Sequence, residues 1–456
     1  MELRYVVSEN EKCLIISNCF LNKLNTIYIH TNLRLQYMTS TILIQYLPIH
    51  VLQNIEKYLI NYDPKIHSVK NLIKINNLQG LKWIHKNKPY LFDSVQPIEL
   101  AVQHNQIDIL RWLYKNKIGL INISSINLIN WASMNDNYDL VVWLHKTFNL
   151  KGSTSALDWA CVNENLELVK YLHQECNCTC SDVAMDYITN LAIVQYLHTY
   201  CNARFSTGAM DRAARLGNFD LLKWLHHNRI EGCTIGAMNQ ACINGHLEIV
   251  KWLHFNRTEG CSVDAIDLSA RNGYLNVVQW LHYNRTEGCT TEAMDLACLN
   301  GHLEIVKWLH SHRNEGCTKN AMDYACMKGH LNVVQWLQQN RTEGCTKRAM
   351  NWAAKNGHLE IVKWLHNNRT EGCTTEAIDE AIRNGHFEIA KWLYSHRNEG
   401  CTKRSMQYAI EFGYLEIVQW LHYNGIQHCT EFDIFVAKIH SHKHILDWYY
   451  SGSLCE

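Results

Sequence analysis

The sequence predicts an all-α, helical-pair solenoid of about 14 repeats with a 28-residue period, and three observations carry the prediction. Trp224, Trp252, Trp280, Trp308, Trp336, Trp364, Trp392, Trp420 and Trp448 stand 28 residues apart without a slip. Within each period the apolar residues fall at helical spacing and do not alternate. Only 4 Pro and 22 Gly are spread over 456 residues, so the regularity is not that of a linker or a low-complexity tract.

Each repeat reads as two short helices. Thr290 caps the first, whose Ala293, Met294, Ala297 and Cys298 give a small apolar face. Thr234, Ser262, Thr318, Thr346, Thr374 and Thr402 hold the same place and suit an N-cap, where a hydroxyl accepts from an orphan backbone N–H. Gly301 follows as the left-handed residue that ends this helix. The second helix, HLEIVKWLHSH, carries Leu303, Ile305, Val306, Trp308 and Leu309, an apolar arc too wide for a single neighbour. The linker NEGCT then turns the chain back. One such pair cannot bury its apolar face alone, whereas a stack of pairs forms one continuous core.

Upstream, Tyr196, Tyr171, Trp143, Trp112 and Trp83 continue the register with looser spacing. The array is therefore placed at residues 67–452, between an N-terminal module at 1–66 and a tail at 453–456. Trp131, Trp159 and Trp352 share a first-helix position, so all 15 Trp fall into two columns. Both columns are read as architecture, and the segment HKHILDWYYSG is expected to close the array.

The segment AMDLACLNGHLEIVKWL resembles the two helices of an ankyrin repeat, whose pattern is TPLHxAAxxGHLEIVKLLL. Ala297, Gly301, His302, Leu303, Ile305, Val306 and Leu309 match, and Trp308 occupies a consensus Leu. The family period is about 33 residues, longer than the one here. Glu292, Ala293, Met294 and Asp295 replace the Thr-Pro-Leu-His start, so the hairpin finger between repeats is expected to be shortened or lost. Within the family the short repeat resembles those encoded by giant DNA viruses of amoebae.

Repeat positions that change from copy to copy are the candidates for partner contact. One set follows the second Ala of the first helix: Ile243, Arg271, Leu299, Met327, Lys355, Arg383 and Glu411. Another follows the cap and includes Lys319, Lys347 and Lys403. The resemblance implies that such positions lie on a concave face and touch partners; the alternative is exposed drift.

Chemistry is harder to find. The Cys column at 233, 261, 289, 317, 345, 373, 401 and 429 repeats at about 10 Å, too far for a disulfide or shared zinc ligation, and reads as buried packing. The His columns (His246, His302, His330, His358, His386; and His226, His254, His282, His310, His366, His422) are too widely spaced in the same way and read as polar contacts near turns. His173, Cys176, Cys178 and Cys180 form HQECNCTC, a weak zinc candidate without the usual paired-Cys spacing. His440, His442 and His444 alternate, and on a helix they diverge. The linker pairs Arg285 with Glu287, Arg341 with Glu343 and Arg369 with Glu371 read as solvated turn charges. No phosphate loop, HExxH or nucleophile elbow is present, so no catalysis and no cofactor are expected.

Lys+Arg and Asp+Glu are 43 each, which argues against holding nucleic acid or lipid by bulk charge. The start lacks a signal-peptide pattern, no apolar run is long enough to span a membrane, and the 19 Cys are odd in number. Reduced thiols inside a cell, in cytoplasm or nucleus, are expected. Residues 41–60, TILIQYLPIHVLQNIEKYLI, resemble the opening helix of an F-box at Leu47, Pro48, Leu52, Ile55 and Leu59, with His50 where an acidic residue is common. A plain N-terminal capping helix is the other reading. The expectation is a monomeric, non-catalytic scaffold that binds a protein, a host protein if the viral resemblance holds. The alternatives are an F-box adaptor of a cullin-type ubiquitin ligase and a zinc-binding protein.

Overall fold

The structure, a computed structural model, describes residues 68–92, 96–119, 127–181, 185–201 and 204–451. The F-box-like residues Leu47, Pro48, Leu52, Ile55 and Leu59 lie outside this range. All regular structure among the described residues is helical, and the linkers between repeats are loops without strands. The hairpin finger is therefore absent there.

The chain divides after Lys151 into two compact bodies. The first holds the pairs Val69–Lys74 and Leu78–Asn87, Pro97–Gln103 and Ile107–Lys115, and Asn127–Met134 and Tyr138–Phe148. The second repeats the pattern from Thr154–Val162 with Leu166–Gln174 to Glu431–Ile439 with Lys443–Tyr450. In it, the first helices of successive repeats pack along one another, while the second helices touch much less. Ala293, Ala297, Ala321, Ala325, Ala349 and Ala353 line that contact and are fully buried or nearly so. Small side chains let the helix axes approach closely. Ile305, Val306 and Leu309 fill the space between the two helices of a pair.

Each repeat is locked to the next by polar contacts. The Asp267 carboxylate accepts from the Thr290 backbone N–H at 2.9 Å and from its hydroxyl at 2.6 Å. Asp295 does the same for Thr318, Asp323 for Thr346 and Asp379 for Thr402. The Thr hydroxyl is used twice, because it also accepts from the N–H two residues on, as Thr318 does from Asn320. Thr234, Thr318 and Thr346 are N-caps as predicted. At Thr290, Thr374 and Thr402 the hydroxyl accepts the equivalent N–H, but the helix begins one residue later and its N-cap is Thr291, Thr375 or Lys403. At Ser262 the hydroxyl instead donates to Asp264. These aspartates are nearly inaccessible, and burial pushes the carboxyls of Asp267, Asp295 and Asp323 above their ordinary range. The two donors from the following repeat pull the other way.

Gly301 has φ 77, and a Cβ there would meet the His330 ring at 2.6 Å. His330 thus lies across the turn of the preceding repeat and bonds the backbone of Leu299. His246 and His442 reach the Arg215 and Glu411 carbonyls through Nε2 at 3.1 and 2.9 Å. The first His column is a clamp between turns. In the looser early repeats the left-handed place is taken by Asn76, Asn105, Asp136 and Glu164.

The linker charges depart from expectation. Arg285 and Glu287 form a two-pronged pair, its Nε–Oε2 arm 3.2 Å long, with both side chains only 23% exposed. The same pair recurs at Arg257 and Glu259, Arg313 and Glu315, Arg341 and Glu343, Arg369 and Glu371, and Arg397 and Glu399. They are not solvated turn charges. The guanidinium folds over Gly260 of the preceding linker, and Glu287 Oε1 accepts the Cys261 N–H of that linker at 3.4 Å. Burial against the previous repeat gives the pair a role that its sequence spacing does not show.

The second His column stands edge-on to the Trp of the next repeat. Ring centroids are 5.2 Å apart for His254 and Trp280, 5.1 Å for His282 and Trp308, and 5.2 Å for His310 and Trp336. The Nδ1 atoms of His254, His282 and His310 face Nη1 of Arg285, Arg313 and Arg341 at 3.3–3.4 Å. A guanidinium can only donate, so in these contacts the imidazole Nδ1 is the acceptor. Where Gln338 replaces His, its Oε1 accepts a hydrogen bond from Arg369 Nη1 at 2.8 Å. At the far end Glu431–Ile439 exposes Phe432, Phe435 and Ile439, while Trp448 is buried in the closing helix.

Two expectations follow from these locks. Asn351 already plays the aspartate's part, donating to the Thr374 hydroxyl at 2.7 Å and accepting its N–H at 3.0 Å. Asp295→Asn should therefore change stability by less than about 0.5 kcal/mol, whereas Asp295→Ala should cost about 1–3 kcal/mol in urea unfolding. The second concerns pH. Burial and the nearby Arg313 hold His282 below its ordinary value, and burial does so for His226 and His422. A lowered His value means that the stability it gives is present above the unfolded pKa, about 6.5, and is lost as pH falls. The thermal midpoint should drop between pH 7 and 5, and less so in His282→Gln.

Candidate interaction surface

The first helix buries one side and shows the other. In Glu292–Leu299, residues Ala293, Met294, Asp295, Ala297 and Cys298 are buried, which leaves Glu292, Leu296 and Leu299 facing out. Positions 292, 296 and 299 share one face at the helical period. The same three rows run through the second body.

The candidates at the C-terminal end of the helix fall on the outer row. Arg271, Lys355, Arg383 and Glu411 are exposed, and Ile243, Leu299 and Met327 are partly so. Their backbones are fixed, since the Ile243 and Arg271 carbonyls accept from Asn272 and Asn300 at 2.7 Å. The lock uses the carbonyl, so the side chain is free to vary. Lys319, Lys347 and Lys403 stand exposed at the start of their helices, about two turns away.

The row of position 296 runs beside them, and its Trp159 and Trp352 are expected from the sequence to report architecture alone. It comprises Trp159, Tyr187, Arg212, Gln240, Leu268, Leu296, Tyr324, Trp352, Glu380 and Tyr408. Trp159 is 41% exposed and Tyr187 53% exposed, so this column is surface. Its rings and charges meet across repeats. Tyr324 and Trp352 are stacked at 6.1 Å and 10°, and Arg348 lies 5.7 Å over Trp352. Arg212 caps the Tyr187 ring at 5.0 Å and Arg383 the Tyr408 ring at 5.3 Å. Glu380 joins Lys355 at 3.2 Å and Arg383 at 3.6 Å. The signal was available: this column varies among Trp, Tyr, Arg, Gln, Leu and Glu, while the other Trp column barely changes.

The cysteines are packing groups. Cys233, Cys289, Cys317, Cys345 and Cys373 are buried and carry no disulfide. Burial raises the Cys345 thiol to about 12 and Cys317 to about 11, so neither is a nucleophile near neutral pH. The zinc candidate does not assemble. His173 Nδ1 bonds the Tyr196 hydroxyl at 2.9 Å, and Cys176 and Cys178 are buried with their thiols pushed up to about 12 and about 11. Among the described residues no group of three or more His, Cys, Asp or Glu is placed to hold a metal. The run His440, His442, His444 is spent on contacts, His442 and His444 each bonding a backbone carbonyl of the preceding repeat. No described helix is long and apolar enough to cross a membrane.

Comparison with known proteins agrees with this geometry. The family pattern described as ankyrin repeats (3 copies) matches residues 98–182, 266–350 and 350–431. That described as ankyrin repeats (many copies) matches residues 210–254 and 238–282. No curated protein matches the chain. Among solved structures, the pentatricopeptide repeat protein PPR10 in complex with an 18-nt psaJ RNA element is 11% identical, covering 91% of this chain and 68% of that one, at TM-score 0.39. PPR10 from maize is 10% identical over 95% and 75%, at TM-score 0.32. Likeness at that level carries no argument about ligand.

The two Trp columns should separate in stability measurements. Trp352→Gln should cost less than about 1 kcal/mol, because Gln240 already holds that row, whereas Trp308→Ala should cost about 2 kcal/mol or more. Urea unfolding of the two variants checks this.

Proposed function

Because the chain belongs to the ankyrin repeat family, we propose that it is a non-catalytic scaffold that docks a protein partner on the outward face of its first helices. One observation carries the reading. Three side-chain rows on that face vary freely, while every row that joins repeats is held nearly constant. Half-exposed Trp, Tyr and Arg are the residue types that dominate binding energy at protein interfaces. The reading takes residues 67–452 as the binding array and the protein as a monomer. A host-cell partner belongs to it as well, on the resemblance of the short repeat to those of giant DNA viruses.

A second reading makes the protein an F-box adaptor, favoured by Leu47, Pro48, Leu52, Ile55 and Leu59. One affinity purification addresses both. Full-length protein should recover a partner that is lost with Trp159→Ser/Tyr324→Ser/Trp352→Ser and kept with second-helix changes such as Lys307→Gln. Retention of the partner by the triple variant would overturn the docking face. Recovery of a cullin adaptor, lost on Leu47→Ala/Pro48→Ala, would establish the second reading; its absence would remove it.

A further inference from the structure

Charge on this protein sums to zero but is not evenly placed. On the second helices the lysines are neutralised locally: Lys251 pairs with Glu248, Lys307 with Glu304, Lys363 with Glu360 and Lys391 with Glu388. The linker arginines are consumed by their glutamates. Two adjacent first helices are different. Lys319–Lys328 and Lys347–Lys355 carry Lys319, Lys328, Lys347 and Arg348, all exposed, and none makes an ion pair with a described residue. Their one acid, Asp323, is buried and committed to Thr346.

The stacked Tyr324 and Trp352 rings lie on these same two helices, with Arg348 5.7 Å over the Trp352 ring. On either side the same face turns acidic, with Glu292 on the preceding first helix and Glu376 on the following one, both exposed. Lys355, at the edge, is already paired to Glu380.

We propose that this basic island, with the Tyr324–Trp352 step on the same two helices, binds a short acidic peptide segment that bears an apolar side chain. The inference rests on the docking face assigned above and names the chemistry of what docks there. The cations supply charge complementarity, and the ring pair offers a flat apolar seat. Its size sets the length. Neighbouring helices lie about 8–10 Å apart, so the island is roughly 20 Å wide, the span of about six extended residues. A nucleic-acid strand fits less well. It gains affinity from phosphate contacts repeated along its length, and Glu292 and Glu376 would oppose it on both sides. The bounded island suits a ligand whose charge is equally bounded.

Fluorescence anisotropy on the full-length protein at low salt tests this. The probes are a labelled peptide alternating glutamate and leucine, its glutamine counterpart, and a labelled 12-nucleotide single-stranded DNA. The acidic peptide should bind at least tenfold more tightly than its glutamine counterpart. Lys319→Gln/Lys347→Gln/Arg348→Gln should weaken it about tenfold and Trp352→Ala severalfold, with unchanged circular dichroism. Lys307→Gln/Lys363→Gln should bind as the unaltered protein does. Equal binding by the triple variant, no saturation up to about 1 mM, or tighter binding of the DNA through the same residues would each overturn the proposal. A captured partner that is lost with the first-helix ring variant but kept with the cation variant would sink this inference and leave the docking face standing.

Discussion

A carboxylate buried on the flank of one helix pair and satisfied only by the next pair is the contact on which the second body depends. Asp295 is 4% exposed, and its donors both belong to Thr318, in the following repeat. Without that neighbour the aspartate would face the cost of an unpaired buried charge, which is several times the worth of an ordinary hydrogen bond. With it, the same Thr is fixed in the geometry that caps the next first helix. One bond therefore sets both the spacing of two repeats and the start of a helix. The clamp of His330 over Gly301 and the fold of Arg285 over Gly260 follow from the spacing that the aspartate row fixes.

This arrangement explains which positions are constant and which are not. The rows that hand a polar group forward, or receive one, change little: the aspartate row is Asp or Asn until its last member, Gln407, the cap row is Thr or Ser, and the His rows admit Asn218, Gln338 and the tyrosines at 274, 394 and 414. Some of these exchanges preserve a donor or an acceptor at the required place. Gln338 accepts from Arg369 as the histidines do from their arginines, and Asn351 accepts and donates where an aspartate elsewhere accepts twice. Rows whose contact runs through the backbone, such as that of Ile243 and Arg271, are released from any such rule. Freedom at the surface is thus a product of where the locks sit.

The fold was legible because helical periodicity and repeat length are one-dimensional facts. The cap at Thr318, the left-handed Gly301 and the wide apolar arc of the second helix all appear where the pattern puts them. What the sequence hid are contacts between residues about 23 to 31 positions apart. The Arg285 and Glu287 pair looks like a solvated turn until the preceding Gly260 is seen beneath it. Trp352 looked like Trp308 because both are tryptophan at a fixed repeat position. They stand on different helices of the pair and in different surroundings: Trp352 is on the outward row of a first helix, whereas Trp308, on a second helix, meets an imidazole of the previous repeat.

Local neutralisation on the second helices and in the linkers has a consequence for recognition. A surface whose charges are paired within each repeat has little field beyond the first few ångströms, because opposite charges at salt-bridge distance cancel well inside a Debye length. Any cluster left unpaired then stands out against a quiet background. Lys319, Lys328, Lys347 and Arg348 do so beside two rings that are themselves partly exposed. Selectivity can arise there without a large net charge, since the exposed acids Glu292 and Glu376 flank the cluster on either side. The protein's overall neutrality is therefore what makes a small basic face informative.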